Sequence, residues 1–191
     1  MKQFLFTLIL LSTLISCNNQ QVKPVITKRK IDPILEDILK KNPNYKENTI
    51  VRENATKLLD KKFDSILNLG LLDDIPLKLF RLGKNPHGKG ALLQFKTDNY
   101  DFEKPEVLSD RLNYDVIGLM DEKLATTLIE NEKYYVYGKK LKRLSKDEVF
   151  LIVSQVYYSP ETEISKDIIG EEYDFNIGDI LMEIDSVKIV K

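Results

Sequence analysis

The sequence predicts an α+β, mainly β fold: a small antiparallel barrel over residues 71–191, preceded within residues 32–70 by two amphipathic helices. Three observations carry this expectation. Apolar residues recur three and four apart as far as Leu69, with Gly70 placed as a C-terminal cap. From Ile75 the texture changes to short apolar runs broken by Gly, Asn, Pro and charge, which is how strands and turns read. Finally, 191 residues with 42% hydrophobic and 31% charged side chains suit one globular body plus a leader, and leave too little chain for two full domains.

The first element is the leader. Lys2 precedes a run from Phe4 to Ile15 that is apolar except at Thr7, Ser12 and Thr13. This run is shorter than the roughly 20 residues a membrane-crossing helix needs, and it has the layout of a secretory signal peptide. It ends in Leu14, Ile15, Ser16 and Cys17, which resembles the lipobox of bacterial lipoproteins. That resemblance implies diacylglycerol on the Cys17 sulfur and cleavage just before it. Residues 1–16 would then be a signal peptide and residues 17–31 a lipidated cysteine followed by a polar tether. Within that family an Asp after the cysteine favours the inner membrane, so Asn18 points to the outer membrane where the cell has one. Asn18 to Lys30, at about 3.3 Å per residue, reach roughly 40 Å. The basic triplet Lys28, Arg29 and Lys30 reads as solvated tether.

In the body, Asp32 is expected as N-cap and Pro33 as first helical residue, with Ile34, Leu35, Ile38 and Leu39 on one face and Asn42 with Pro43 as the stop. A second helix between Asn44 and Leu69 carries Val51, Ala55, Leu58, Leu59, Phe63, Ile66 and Leu67 at helical spacing. Leu58 and Ile66 are expected in the core. Strands are expected at Ile75 to Leu82, Ala91 to Thr97 and Val116 to Met120. After a helix at Asp121 to Glu130, strands return at Tyr134 to Leu144, Val149 to Tyr158 and Ile180 to Val190. Strand, strand, strand, helix, strand, strand is the order of an OB-fold barrel. The stretch from Asp115 to Tyr158, with Tyr134 to Lys139 as its strand motif, is similar to the second half of small OB-fold proteins of the bacterial envelope. That similarity implies an OB-like barrel.

The chemistry-bearing residues are sparse. Gly83 to Gly90 imitates a phosphate-binding loop, but Ala91 stands where the motif needs Ser or Thr and a strand follows where it needs a helix, so a hairpin is expected. In an OB-like barrel this hairpin borders the ligand face and would present Lys84, His87 and Lys89. His87 is the single histidine and has no orienting partner evident in sequence. Tyr134, Tyr135 and Tyr137 with Lys139, Lys140, Lys142 and Arg143 interleave aromatic and basic residues, yet strand alternation splits them between two faces. The acids Glu161, Glu163, Asp167, Glu171, Glu172 and Asp174 lack the spacing of an EF-hand calcium loop and read as a solvated loop.

A net charge of -1 and one cysteine argue against nucleic acid, a disulfide framework and a zinc site built from several Cys and His ligands. No cofactor and no metal are expected. The expected function is a lipid-anchored cell-envelope protein, held at the membrane by its N-terminal lipid, whose β-rich domain binds an envelope protein or small ligand without catalysis. The alternatives are a carboxylate-dependent envelope hydrolase, which needs two acids converging in a cleft, and an immunity or assembly lipoprotein.

Overall fold

The computed structural model describes residues 28–45, 47–97, 108–157 and 175–190. The leader, Cys17, most of the tether and the acids from Glu161 to Asp174 lie outside the described residues. Among the described residues no helix is long and apolar enough to cross a membrane.

Helix α1 spans Asp32–Lys41 and buries Leu35 and Ile38. Asp32 is not its N-cap; that position is Ile31. The Asp32 carboxylate instead accepts hydrogen bonds from the Arg29 N–H at 2.7 Å and the Ser109 N–H at 2.9 Å, tying the entering chain to the segment before the third strand. Helix α2, Thr49–Asn68, is capped by Asn48, whose side-chain oxygen accepts from Ile50 and Val51 N–H groups at 3.0 and 3.3 Å. At its other end Gly70 adopts φ +62°, and the Gly70 and Leu71 N–H groups donate to the Leu67 and Ile66 carbonyls. This is the Schellman arrangement that Gly70 foreshadows in sequence. Helix α2 buries Leu59, Phe63 and Ile66, whereas Leu58 is only half-buried, one position off the centre of the apolar stripe.

Five strands follow: β1 Leu77–Lys84, β2 Ala91–Thr97, β3 Leu112–Met120, β4 Lys133–Leu144 and β5 Phe175–Ile189. A 3-10 turn, Leu108–Arg111, leads into β3. Helix α3, Glu122–Ala125, links β3 to β4, and helix α4, Lys146–Tyr157, follows β4. Hydrogen bonds close the sheet into a ring in the order β1, β2, β3, β5, β4 and back to β1. Every pairing is antiparallel except β3 with β5, so the sheet is mixed and the all-antiparallel expectation is corrected.

Two element assignments also change. The apolar run Val149 to Tyr158 is not a strand: residues up to Tyr157 are helical, because Ser145 and Glu148 form a reciprocal capping box. The helix expected over Asp121 to Glu130 shrinks to one turn, capped by the Asp121 carboxylate and followed by turn residues. The place of the misread strand in the ring is taken by β5, which begins five residues before Ile180.

Alternation points Leu79, Leu93, Phe95, Tyr114, Val116, Val136, Ile180 and Met182 into one core. The helices close the end of the ring where β3 and β5 begin. There Tyr45 stacks on Phe175 with ring centroids 5.8 Å apart. Arg143 of β4 lies over the Phe63 ring of α2 and pairs with Asp60 at 2.7 Å.

Candidate functional site

The outward face of β1, β2, β3 and β5 gathers the most unusual side chains. Along β2, the strand period of two turns Leu92, Gln94 and Lys96 outward; along β3 it does the same for Asp115, Ile117 and Leu119. Register then sets Lys96 beside Asp115, and Asp115 beside Asp179 of β5. Neighbouring strands run about 4.8 Å apart, so the two carboxylates face one another at close range. Gln94 donates its amide to Asp115 Oδ2 at 2.9 Å, and Lys96 Nζ stands 3.8 Å from the same oxygen. A bulge between Leu79 and Arg81 pushes Phe80 outward, leaving it 38% exposed. Lys96 Nζ sits 4.2 Å from the Phe80 ring centroid and the Arg81 guanidinium 4.9 Å from it.

The electrostatics of this row follow first from burial of its carboxyls and then, at Asp179, from a neighbouring like charge. Burial pushes the Asp115 carboxyl up, against the pull of Lys96 and the Gln94 hydrogen bond. Burial and then the neighbouring Asp115 charge push Asp179 up to about 6, opposed by Lys96, Arg143 and Lys146. A carboxyl poised there can accept a cationic or hydrogen-bond-donating group, and can exchange a proton near neutrality.

This has a measurable consequence for stability. The folded-state pKa of Asp179 is raised above its unfolded value, so the site favours folding below about pH 4 and loses that contribution as pH rises through about 6. Asp179→Asn is therefore expected to stabilise the fold at pH 7.5 by about 1 kcal/mol, a figure discounted for partial exposure, and to change nothing at pH 3.5. Urea denaturation at the two pH values checks this.

Beside the polar row the same face is apolar and covered. Val149 and Ile152 of α4 pack against a small cluster of Leu92, Ile117 and Leu144, joined by Leu119 and Leu181. The Lys142 ammonium and the capping-box bonds hold the Glu148 carboxyl down at about 2, fixing the start of this covering helix.

The hairpin residues named from sequence lie elsewhere. Residues Asn85 to Gly90 do form the β1–β2 turn: Asn85 accepts from the His87 N–H at 3.0 Å and donates to the Lys89 carbonyl at 3.3 Å. Lys84, His87 and Lys89 are all exposed. Lys84 pairs with Ala91, which is five residues along β2 from Lys96, a distance of about 17 Å. The strip under α4 lies between, so the hairpin cations and the polar row are not brought together. On β4, Tyr134 and Val136 point into the core while Tyr137 is exposed. Lys140, Lys142 and Arg143 pair with Asp73, Glu148 and Asp60 of the same chain. Among the described residues no three His, Cys, Asp or Glu side chains gather where they could share a metal ion.

Asp115, Asp179 and Phe80 were not singled out by the sequence reading. Each aspartate stands one residue before a strand start inferred from apolar texture, Val116 and Ile180, although both are strand residues. Their outward alternation with Ile117 and Leu181 was the signal available. Searches against protein-family models, curated proteins and solved structures return no match.

Proposed function

We propose that this chain is a lipid-anchored cell-envelope protein whose domain is an OB-like barrel that binds an envelope protein or small envelope ligand without catalysing a reaction on it. The barrel reading is supported by the ring order β1, β2, β3, β5, β4, by the parallel β3–β5 pair and by α3 between β3 and β4. The anchor reading rests on the lipobox-like Leu14 to Cys17, and Asn18 after it favours the outer membrane where one exists. The observation that carries binding is the outward row of Phe80, Gln94, Lys96, Asp115 and Asp179. It combines a partly exposed aromatic ring and both signs of charge over a buried Gln94 amide, the composition of a recognition surface rather than of a nucleophile with its base.

The entering chain at Arg29 and Lys30 and the β1–β2 hairpin fall at opposite ends of the domain. The entering chain is held near the start of β1 by a Lys30 N–H to Asp74 bond at 2.9 Å, and near the start of β3 by an Arg29–Asp110 pair at 2.9 Å. Lys84, His87 and Lys89 sit beyond the far end of β1. A tethered domain of this build presents the hairpin away from its attachment and leaves Phe80 and Lys96 of the polar row partly exposed on its flank.

The test uses the full chain, extracted in detergent, with the partner first identified by cross-linking in intact envelopes. Phe80→Ala removes a ring that is 38% exposed, and is expected to weaken partner binding about tenfold while the domain stays folded under the binding conditions. Charge reversal at Lys84 and Lys89 is expected to act mainly on association rate and salt dependence. Equal binding by wild type and Phe80→Ala would reject the polar row as the contact surface. Turnover of an envelope ester, glycan or phosphoester that vanishes in Asp179→Asn would replace binding with carboxylate-dependent hydrolysis.

A further inference from the structure

We infer that a small cavity inside the ring, next to Tyr114, is a specific site for one ordered water molecule that joins the loop before β1 to strands β3 and β4. Tyr114 is 2% exposed, and among the described residues its hydroxyl has no hydrogen-bond partner. A buried hydroxyl left unpaired costs the folded state its full desolvation penalty, so such groups are ordinarily completed by an ordered molecule. Tyr114 lines a cavity that leaves about 20 Å³ for the centre of a water-sized sphere, enough for a single water.

The lining decides what this site takes. Seven of its residues are apolar, and the polar ones are Tyr114, Asp73 and Lys140. Asp73 and Lys140 pair with each other, so their charges largely cancel and the site favours a neutral occupant over an ion. They also bring an acceptor and a donor to the cavity wall that Tyr114 shares, giving the two to four polar partners that an internal water requires. Burial pushes the Tyr114 pKa up, so the hydroxyl stays neutral across the biological range and serves as both donor and acceptor. Bound there, the water spans three pieces of chain: Asp73 before β1, Tyr114 on β3 and Lys140 on β4.

The experiment is water-to-protein NMR on the full chain in detergent micelles, with tyrosine rings selectively labelled, combined with urea denaturation of wild type and Tyr114→Phe. The expected result is a cross-peak of the sign given by a long-lived water at the Tyr114 ring, and an unfolding equilibrium constant raised roughly fivefold in Tyr114→Phe. The absence of that cross-peak in wild type would overturn the inference. So would a Tyr114→Phe chain more stable than wild type, because removing a truly unpaired buried hydroxyl relieves the fold. If Tyr114→Phe fails to fold, the wild-type cross-peak alone decides between the two results.

Discussion

Gly138→Ala is expected to destabilise the domain by roughly 3 kcal/mol, at the upper end of what overpacking costs. Gly138 lies where β4 and β5 slip register, between Tyr137 opposite Ser186 and Gly138 opposite Ile184. A Cβ built there would come within 2.0 Å of the Glu183 carbonyl oxygen and 2.9 Å of the Ile184 Cα. These are backbone atoms, which cannot turn aside as the tip of a side chain can. The β4–β5 ladder must therefore open, and with it the ring that gives Tyr134, Val136 and Ile184 a shared interior. Gly88→Ala in the β1–β2 hairpin is the control: its nearest neighbour is the Asn85 side-chain nitrogen at 3.5 Å, an ordinary contact. Urea unfolding of the two variants checks the expectation, and equal stability of the pair would contradict the register assigned to β4 and β5.

The same two strands explain what the sequence discloses and what it conceals. Helices α1 and α2 are legible because each carries its whole signal locally: Pro33, an apolar stripe, and stops at Asn42 and Gly70. The hairpin at Asn85 to Gly90 is legible for the same reason. Helix α4 is misread because Val149 to Val153 is a continuous apolar run rich in β-branched residues, and periodicity alone does not separate a buried strand from a buried helix in so short a stretch. The capping box of Ser145 and Glu148 settles it in favour of helix, and that pattern was present in the sequence.

Strand β5 starts early for a different reason. Gly178 adopts φ +86° and donates its N–H to the Asn176 side chain at 2.8 Å, so a kink interrupts the alternation just before the apolar run from Ile180. The parallel pairing of β3 with β5 has no local signature, since it joins segments distant in the chain. The polar row depends on that pairing. Asp115 and Asp179 become neighbours only when it forms, so a reading confined to local windows names the hairpin cations instead.

The proposed lipid anchor is the premise on which cellular address and tethered binding both rest, and its loss is the other large effect expected. Cys17 is the single cysteine, so Cys17→Ala removes the only thiol that can carry diacylglycerol. A chain without the lipid keeps its uncut leader, whose apolar run from Phe4 to Ile15 is shorter than a membrane span, and neither the segment from Asn18 to Lys30 nor the folded domain has an apolar stretch able to replace two acyl chains. The direct measurement is incorporation of radiolabelled palmitate by growing cells expressing wild type or Cys17→Ala, read on the immunoprecipitated chain together with its N-terminal cleavage site. The account predicts label on wild type, cleavage between Ser16 and Cys17, and loss of both in Cys17→Ala. Equal labelling of the two chains, or an unlabelled wild type, would contradict it.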